Sequence, residues 1–175
     1  MAFKIEVTGV IGALVALGVA STAQADTVNV GMAYAQTGWM EAYDGDGAGM
    51  VELWIEKVNA EGGVLGNQLN LLTADTKTDR IEGAKAAQRL LDDDVQLMIV
   101  SADYDFGSPA ALQAQKAGII AVSLGAGDPK MGVIGVGPYV FTAAVAAQLE
   151  GAVMADWGIE KMGFKKGYQL IDETN

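Results

Sequence analysis

The chain has 175 residues, 22 Asp and Glu against 11 Lys and Arg, a net charge of −11, and neither cysteine nor histidine. That balance excludes a nucleic-acid partner, whose phosphates demand clustered Lys and Arg. The missing Cys and His exclude thiol chemistry, Ser-His-Asp triads and the common zinc sites, and leave the fold to hold itself without disulfides.

Residues 1–25 read as an export signal. Lys4 supplies a positive start, residues 7–20 form an uncharged apolar run, and Ala23-Gln24-Ala25 is a small-x-small cleavage site that leaves Asp26 as the mature start. A run of about 14 residues is too short to cross the roughly 30 Å hydrocarbon core, which argues against a retained anchor. No Cys follows the cleavage site, so no lipid is attached there, and no second long apolar run follows. The expected location is the periplasm, with no direct membrane insertion after cleavage.

From Asp26 onward, short β-like runs alternate with helical ones. Residues 28–32 form a first strand. A helix over 46–59 follows, with Met50, Trp54 and Val58 at helical spacing, and Gly62-Gly63 stops it. Residues 69–72 make a second strand. Asp79-Arg80-Ile81-Glu82 has the form of a capping box, opening a second helix with Ile81, Ala84, Ala87 and Leu91 on one face. Residues 95–100 are a nearly continuous apolar strand, which suits a parallel sheet covered on both faces. Ser108 as N-cap and Pro109 in the first turn start a third helix, which Gly118 ends. Strands at 119–122 and 139–141, a helix at 148–157 and the start of a strand at 168–171 complete the pattern. The spacing predicts an α/β fold with a doubly wound parallel sheet. In such sheets ligands bind beyond the carboxyl ends of the strands, where strand order reverses, so the loops after strands one, three and four are the candidates.

The first of those loops carries Tyr34, Thr37, Trp39, Glu41, Tyr43, Asp44 and Asp46; the second carries Ser101, Asp103, Tyr104, Asp105, Phe106 and Ser108. Aromatics concentrated in two short segments point to a lined pocket, with Trp39, Tyr43, Tyr104 and Phe106 in contact with ligand. A role in capping the core is the alternative. Gly107 and Ser108, at the expected start of the third helix, offer amides and a positive dipole end to a carboxylate, unless Ser108 is an ordinary N-cap. The loops hold five acids (Glu41, Asp44, Asp46, Asp103, Asp105) and no Lys or Arg. A ligand carboxylate would then be held by backbone amides and hydroxyls rather than an ion pair. Asp44-Gly45-Asp46-Gly47 starts like a calcium loop, but Ala48 and Ile55 stand where the EF-hand spacing needs oxygen ligands, so no metal is expected. Gly125-Ala126-Gly127 lacks the third glycine of a dinucleotide fingerprint, at Lys130, and no cofactor is expected. Asp103 and Asp105 alternate on a loop, a poor geometry for acid/base work, so the chain is not expected to be an enzyme.

Several of these segments, taken together, resemble the type I periplasmic solute-binding proteins of ABC importers, and among them the leucine/isoleucine/valine-binding family. They are Thr37-Gly38, Gly47-Ala48, the run from Val58-Asn59 through Gly62-Gly63 to Gly66, Asp75 with Asp79, Leu90-Leu91, and Gly125-Ala126-Gly127-Asp128-Pro129. The resemblance covers residues 28–175. It implies two α/β lobes joined by crossing strands, with a small solute trapped between them and permease subunits in the membrane as partners. Residues 26–143 would be the first lobe, and 144–175 the crossover and the start of an incomplete second lobe. The loop after strand three and the Gly125, Ala126, Gly127 turn would clasp an α-carboxylate. Tyr104 and Gly127 stand where branched-chain binders have serine and threonine, a departure from the pattern that holds branched-chain amino acids; the acids and aromatics of the loops point to an amino acid or an amide or carboxylate relative, with Trp39 and Tyr104 packing on it. A ligand-sensing domain of a chemotaxis or signalling receptor and an exported α/β enzyme are the other readings.

The export reading predicts cleavage between Ala25 and Asp26. N-terminal sequencing of the exported protein is expected to begin at Asp26, and a mature form starting near Met1 would contradict it.

Overall fold

Five short apolar runs become five parallel strands. The computed structural model describes residues 26–168 and 170. The elements are β1 (Thr27–Tyr34), α1 (Glu41–Ala60), β2 (Gln68–Asp75), α2 (Arg80–Asp92), β3 (Leu97–Val100), α3 (Tyr104–Ala117), β4 (Ile120–Ser123), β5 (Val140–Thr142) and α4 (Ala147–Glu160). The export signal expected at residues 1–25 lies outside the described residues, as do Gln169 and Ile171 of the strand expected at 168–171; Tyr168 and Leu170 belong to no regular element.

The strand order is β2-β1-β3-β4-β5, with every neighbouring pair parallel. From β1 the chain steps outward to β2, then returns to β3 on the other side and continues to β5. Order therefore reverses between β1 and β3, the switch point of a doubly wound sheet.

Helices α2 and α3 cover one face. The core between them and the sheet gathers Leu90, Val95, Met98, Val100, Ala110, Ala111, Ala114, Ala121, Met131 and Val140. The buried positions of α2 are Gly83, Ala86, Ala87 and Leu90, while Ile81 is 67% exposed. Of the expected face of Ile81, Ala84, Ala87 and Leu91, Ala87 is buried and Ala84 and Leu91 are half-buried, so the correction falls on Ile81. The contact with α3 admits only small side chains, since a Cβ on Gly83 would lie 3.2 Å from the Phe106 carbonyl oxygen. Asp79 caps α2 as expected, accepting from the amides of Ile81 and Glu82 at 2.8 and 2.9 Å. The reciprocal arm of the capping box is not formed among the described residues, because the Glu82 carboxylate turns to Lys85 at 2.7 Å and to Lys77 at 3.7 Å.

On the other face, α1 begins at Glu41, five residues before the expected start, and buries Asp44, Ala48 and Ile55. Met50 and Trp54, read as a helical stripe, are 66% and 57% exposed. They border an apolar groove of about 540 Å3 together with Val30, Ile55, Leu97 and Ile99. The register continues that apolar surface across the sheet: Leu97 pairs with Ile120, Ile99 with Val122, and Val122 with Phe141. Among the described residues α1 covers this face over β1 and β2.

Helix α3 starts at Tyr104, where Asp103 accepts from the amides of Asp105 and Phe106 at 2.7 and 3.3 Å. The expected N-cap at Ser108 is thus overturned, and Pro109 lies inside the helix. The Asp103 carboxylate, as good a cap as a serine, has the free amides of Asp105 and Phe106 to receive, and Pro109 removes only the one donor that the Asp105 carbonyl would have used. Gly118 ends the helix in the left-handed region, as expected.

The two faces of α2 predict opposite outcomes for two aliphatic truncations. Leu90→Ala is expected to cost about 2–5 kcal/mol in urea unfolding. Ile81→Ala is expected to stay within about 0.5 kcal/mol, and a larger loss at Ile81 would contradict the buried stripe described here.

Candidate functional site

The loops beyond the strand ends are built around side chains that accept backbone amides. Parallel strands stop pairing there, and an amide left without an acceptor away from water is costly. Asp44, completely buried in the first turn of α1, accepts from the Ala35 amide at 2.8 Å, the Ser101 hydroxyl at 3.1 Å and the Ala102 amide at 2.8 Å. It thereby joins the loop after β1 to the loop after β3. Asp75, at the end of β2, accepts from the amides of Gln36 (3.0 Å), Thr37 (3.3 Å) and Lys77 (2.7 Å), and from the Thr37 hydroxyl at 2.7 Å. The Thr78 hydroxyl donates to the Thr37 carbonyl at 3.0 Å and receives the Met40 amide at 3.3 Å. Gly38, with φ +91°, lets the two loops approach, since a Cβ there would sit 2.4 Å from the Thr78 hydroxyl oxygen. Partial burial favours a protonated Asp75, but the bonds from the Thr37 hydroxyl and from the Lys77, Gln36 and Thr37 amides outweigh it and hold the carboxyl below its ordinary value.

A run of hydroxyls continues the construction. Ser123 donates to the Ser101 carbonyl at 2.8 Å and accepts from the amides of Gly125 (3.3 Å) and Ala126 (3.0 Å). Thr142 donates to the Ala126 carbonyl at 2.7 Å. The turn after β4 is therefore tied to both neighbouring strands.

Two groups of the expected site residues emerge. Trp39 packs edge-on against Phe106, 5.4 Å between ring centroids, and against Tyr43 at 6.0 Å, bridging the loop after β1 and the first turn of α3. Trp39 and Tyr43 remain 59% and 68% exposed. Thr37 is engaged with Asp75. The second group lines a pocket of about 430 Å3 between the loops after β3 and β4, with Asp103, Tyr104, Ala126, Gly127, Asp128 and Gln148 on its walls. Gly125 adjoins it, within reach of the Ala102 side chain.

Gly107 and Ser108 do not form the start of α3. The Gly107 amide donates to the Asp103 carbonyl at 2.8 Å, and a Cβ on Gly107 would meet the Ser101 carbonyl oxygen at 2.8 Å. Ser108 borders a separate depression of about 390 Å3 with Ala84, Leu112 and Val136. Among the described residues, the amides left without a partner around the main pocket are those of Tyr104, at the first helical position, Gly127, Asp128 and Gln148, in the first turn of α4.

The structure also brings cations to a site read as purely acidic. Arg80 pairs with Asp105, and Lys130 stands 5.3 Å from the Tyr104 ring centroid and 3.7 Å from Asp128. Both lie outside the loop segments 34–46 and 101–108. The spacing of Asp128-Pro129-Lys130 was the available signal for the second. Another hollow, about 450 Å3 between α4 and residues 164–167, involves none of the strand-end loops.

With this geometry in hand, a periplasmic binding protein family model matches residues 27–174. No curated protein matches the chain. Among solved structures, the chain is similar to the branched-chain amino acid transporter substrate-binding protein LivJ of Streptococcus pneumoniae in complex with isoleucine, at 23% identity and a TM-score of 0.71, covering 79% of this chain and 39% of that one. It is similar to a solute-binding protein of an ABC transporter from Rhodopseudomonas palustris BisB5 in complex with 3,4-dihydroxybenzoic acid, at 20% identity and 0.66, covering 78% and 37%. A putative branched-chain amino acid ABC transporter protein from Rhodospirillum rubrum matches at 26% identity and 0.64, covering 79% and 39%. The chain thus spans about two-fifths of the length of the structures it matches. The shared part is the parallel α/β lobe of type I periplasmic binding proteins.

The Asp75 geometry predicts a pH signature. A carboxyl held below its ordinary value contributes stability that is fully present above about pH 4 and is lost as pH falls through the lowered value. The stability gap between wild type and Asp75→Asn, by urea unfolding, is expected to be largest near pH 7 and to shrink at lower pH. A gap that does not change with pH would contradict the assignment.

Proposed function

The chain belongs to the periplasmic binding protein family, and from that premise we propose that it captures a small organic solute outside the cytoplasm and delivers it to the membrane subunits of an ABC importer. The observation that carries this reading is the pocket at the carboxyl ends of β3 and β4, beside the switch point, lined by Asp103, Tyr104, Ala126 and Gly127. The names of the similar structures, all substrate-binding or transport proteins, support it. The export signal at residues 1–25 fits a periplasmic location, and no helix among the described residues is long and apolar enough to cross a membrane. Residues 26–143 are assigned to the first lobe and 144–175 to the crossover and the start of the second.

The solute is proposed to be an amino acid or an amide or carboxylate relative. The Tyr104 and Gly127 amides offer donors to a carboxylate, and the Lys130 ammonium at the rim adds positive charge. The Tyr104 ring presents an apolar plane beside that polar end. The aromatic group of Trp39, Tyr43 and Phe106, carried by the loop after β1 and the first turns of α1 and α3, is proposed to line the mouth of the same cleft.

A thermal-shift screen against L-leucine, L-isoleucine, 3,4-dihydroxybenzoate and related amides and carboxylates tests the reading. A solute at 100 times its Kd is expected to add about 2.7 kcal/mol of stability. Tyr104→Ala is expected to weaken binding by at least about tenfold, as for a stacked hot-spot aromatic worth about 2 kcal/mol, and, because the half-buried Tyr104 ring also packs against the core, to lower the melting point of the empty form as well. Unaltered affinity in both Trp39→Ala and Tyr104→Ala would place the cleft elsewhere.

A further inference from the structure

Asp44 is a charged side chain with no exposed surface and, among the described residues, no cationic partner. Burying a carboxylate is costly unless hydrogen bonds satisfy it. Here both oxygens are used: Oδ2 takes the Ala35 amide, and Oδ1 takes the Ser101 hydroxyl and the Ala102 amide. The Ala35 amide follows the last residue of β1, and the Ala102 amide lies two residues beyond β3. An apolar side chain of similar size would fill the space and leave three buried donors unanswered, so packing alone does not explain an acid at this position. Its place in the first turn of α1 adds the favourable end of the helix dipole.

From Asp44 a continuous hydrogen-bonded path crosses the site. It runs through the Ser101 hydroxyl and, from the Ser101 carbonyl, to the Ser123 hydroxyl, then to the Gly125 and Ala126 amides and on to Thr142. Every loop assigned to the solute cleft is attached to this path, and Asp44 is its charged member. One carboxylate spanning β1 and β3 at the point where strand order reverses constrains the two loops to a single relative placement. The contact of Trp39 with Phe106 then follows, since each ring is carried by one of the two segments that Asp44 joins.

We propose that Asp44 is a positioning residue of the cleft: without touching the solute, its carboxylate holds the loop after β1 against the loop after β3 and so sets the geometry in which the solute is bound. This rests on reading those loops as the solute cleft, and the test separates the two claims. Asp44→Asn keeps the shape but turns an NH2 group toward either Ala35 or the Ser101–Ala102 donors, so one side of the bridge is lost. In a background where Trp54→Phe and Trp157→Phe leave Trp39 as the sole indole, the Asn variant is expected to shift Trp39 emission to the red and to make it easier to quench with acrylamide. The amide proton of Ala35 or of Ala102 is expected to move upfield in NMR spectra. Affinity for whichever of L-leucine, L-isoleucine or 3,4-dihydroxybenzoate binds is expected to fall about tenfold, measured well below the unfolding midpoint of both proteins. A variant that is merely less stable, with Trp39 emission, both amide shifts and affinity unchanged, overturns the proposal. Should Asp44→Asn fail to fold, Ser101→Ala removes one of the three donors and is expected to move the same Trp39 and amide signals by a smaller amount; no movement in any of them overturns it equally. If wild type binds none of the three probes, the receptor reading for those solutes fails, and the Trp39 and amide signals still decide whether Asp44 couples the loops.

Discussion

Backbone amides at the carboxyl ends of parallel strands lose their ladder partners, and the site is organised by what replaces them. Four side chains supply most of the acceptors: Asp44 for the ends of β1 and β3, Asp75 for the loops after β1 and β2, Asp103 for the first turn of α3, and Ser123 for the turn after β4. Each satisfies at least two donors with one small group. The result is a set of short loops whose backbones are held by their own interior, so aromatic rings and the amides of Tyr104 and Gly127 are presented from a fixed platform. A binding surface built this way loses little conformational freedom when a solute arrives, which favours affinity.

The same acids explain the mismatch between net charge and solute chemistry. Carboxylates this near the cleft look hostile to an anionic ligand, yet Asp44 and Asp103 are occupied by amides, Asp105 by Arg80 and Asp128 by Lys130. Their charge is spent on structure at short range. The back of the sheet serves the platform differently: small residues on α2 and α3 bring both helices close to the sheet and to one another, and the Met98, Val100 and Met131 side chains fill the space beneath the strand ends. The opposite face keeps an apolar surface over β3, β4 and β5, beside Met50 and Trp54.

Strand positions were legible in the sequence, because buried parallel strands are nearly continuous apolar runs and two of the three helices between them, α1 and α3, have clear glycine stops, while α2 ends on Asp93 and Asp94. The order of the strands was legible only as a class. Helix faces were misread where large residues stood out: Ile81 and Trp54 have helical spacing, but the buried stripes of α1 and α2 are made of Ala, Gly and single larger residues, which periodicity weighs lightly. The start of α3 was misread because Ser-Pro is a familiar opening, while Asp103 five residues earlier is an equally good cap with free amides to receive. Of the expected site residues, Asp103, Tyr104, Ala126 and Gly127 lie together around one pocket, and Trp39, Tyr43 and Phe106 lie together beside it. Arg80 reaches Asp105 through tertiary folding, with nothing local in the chain to mark the two as neighbours, whereas Lys130 directly follows the Gly125–Pro129 turn.

The central claim is that solute binds at the strand-end platform on the β3–β4 side of the switch point. Backbone amide shifts followed by NMR while a binding solute is titrated test it directly. The account predicts that the largest changes fall on Tyr104, Gly127 and Asp128, with smaller ones at Thr37 and Trp39. Changes centred instead on Met50 and Trp54 at the apolar groove, or on Ile159 and Phe164 beside α4, would contradict it.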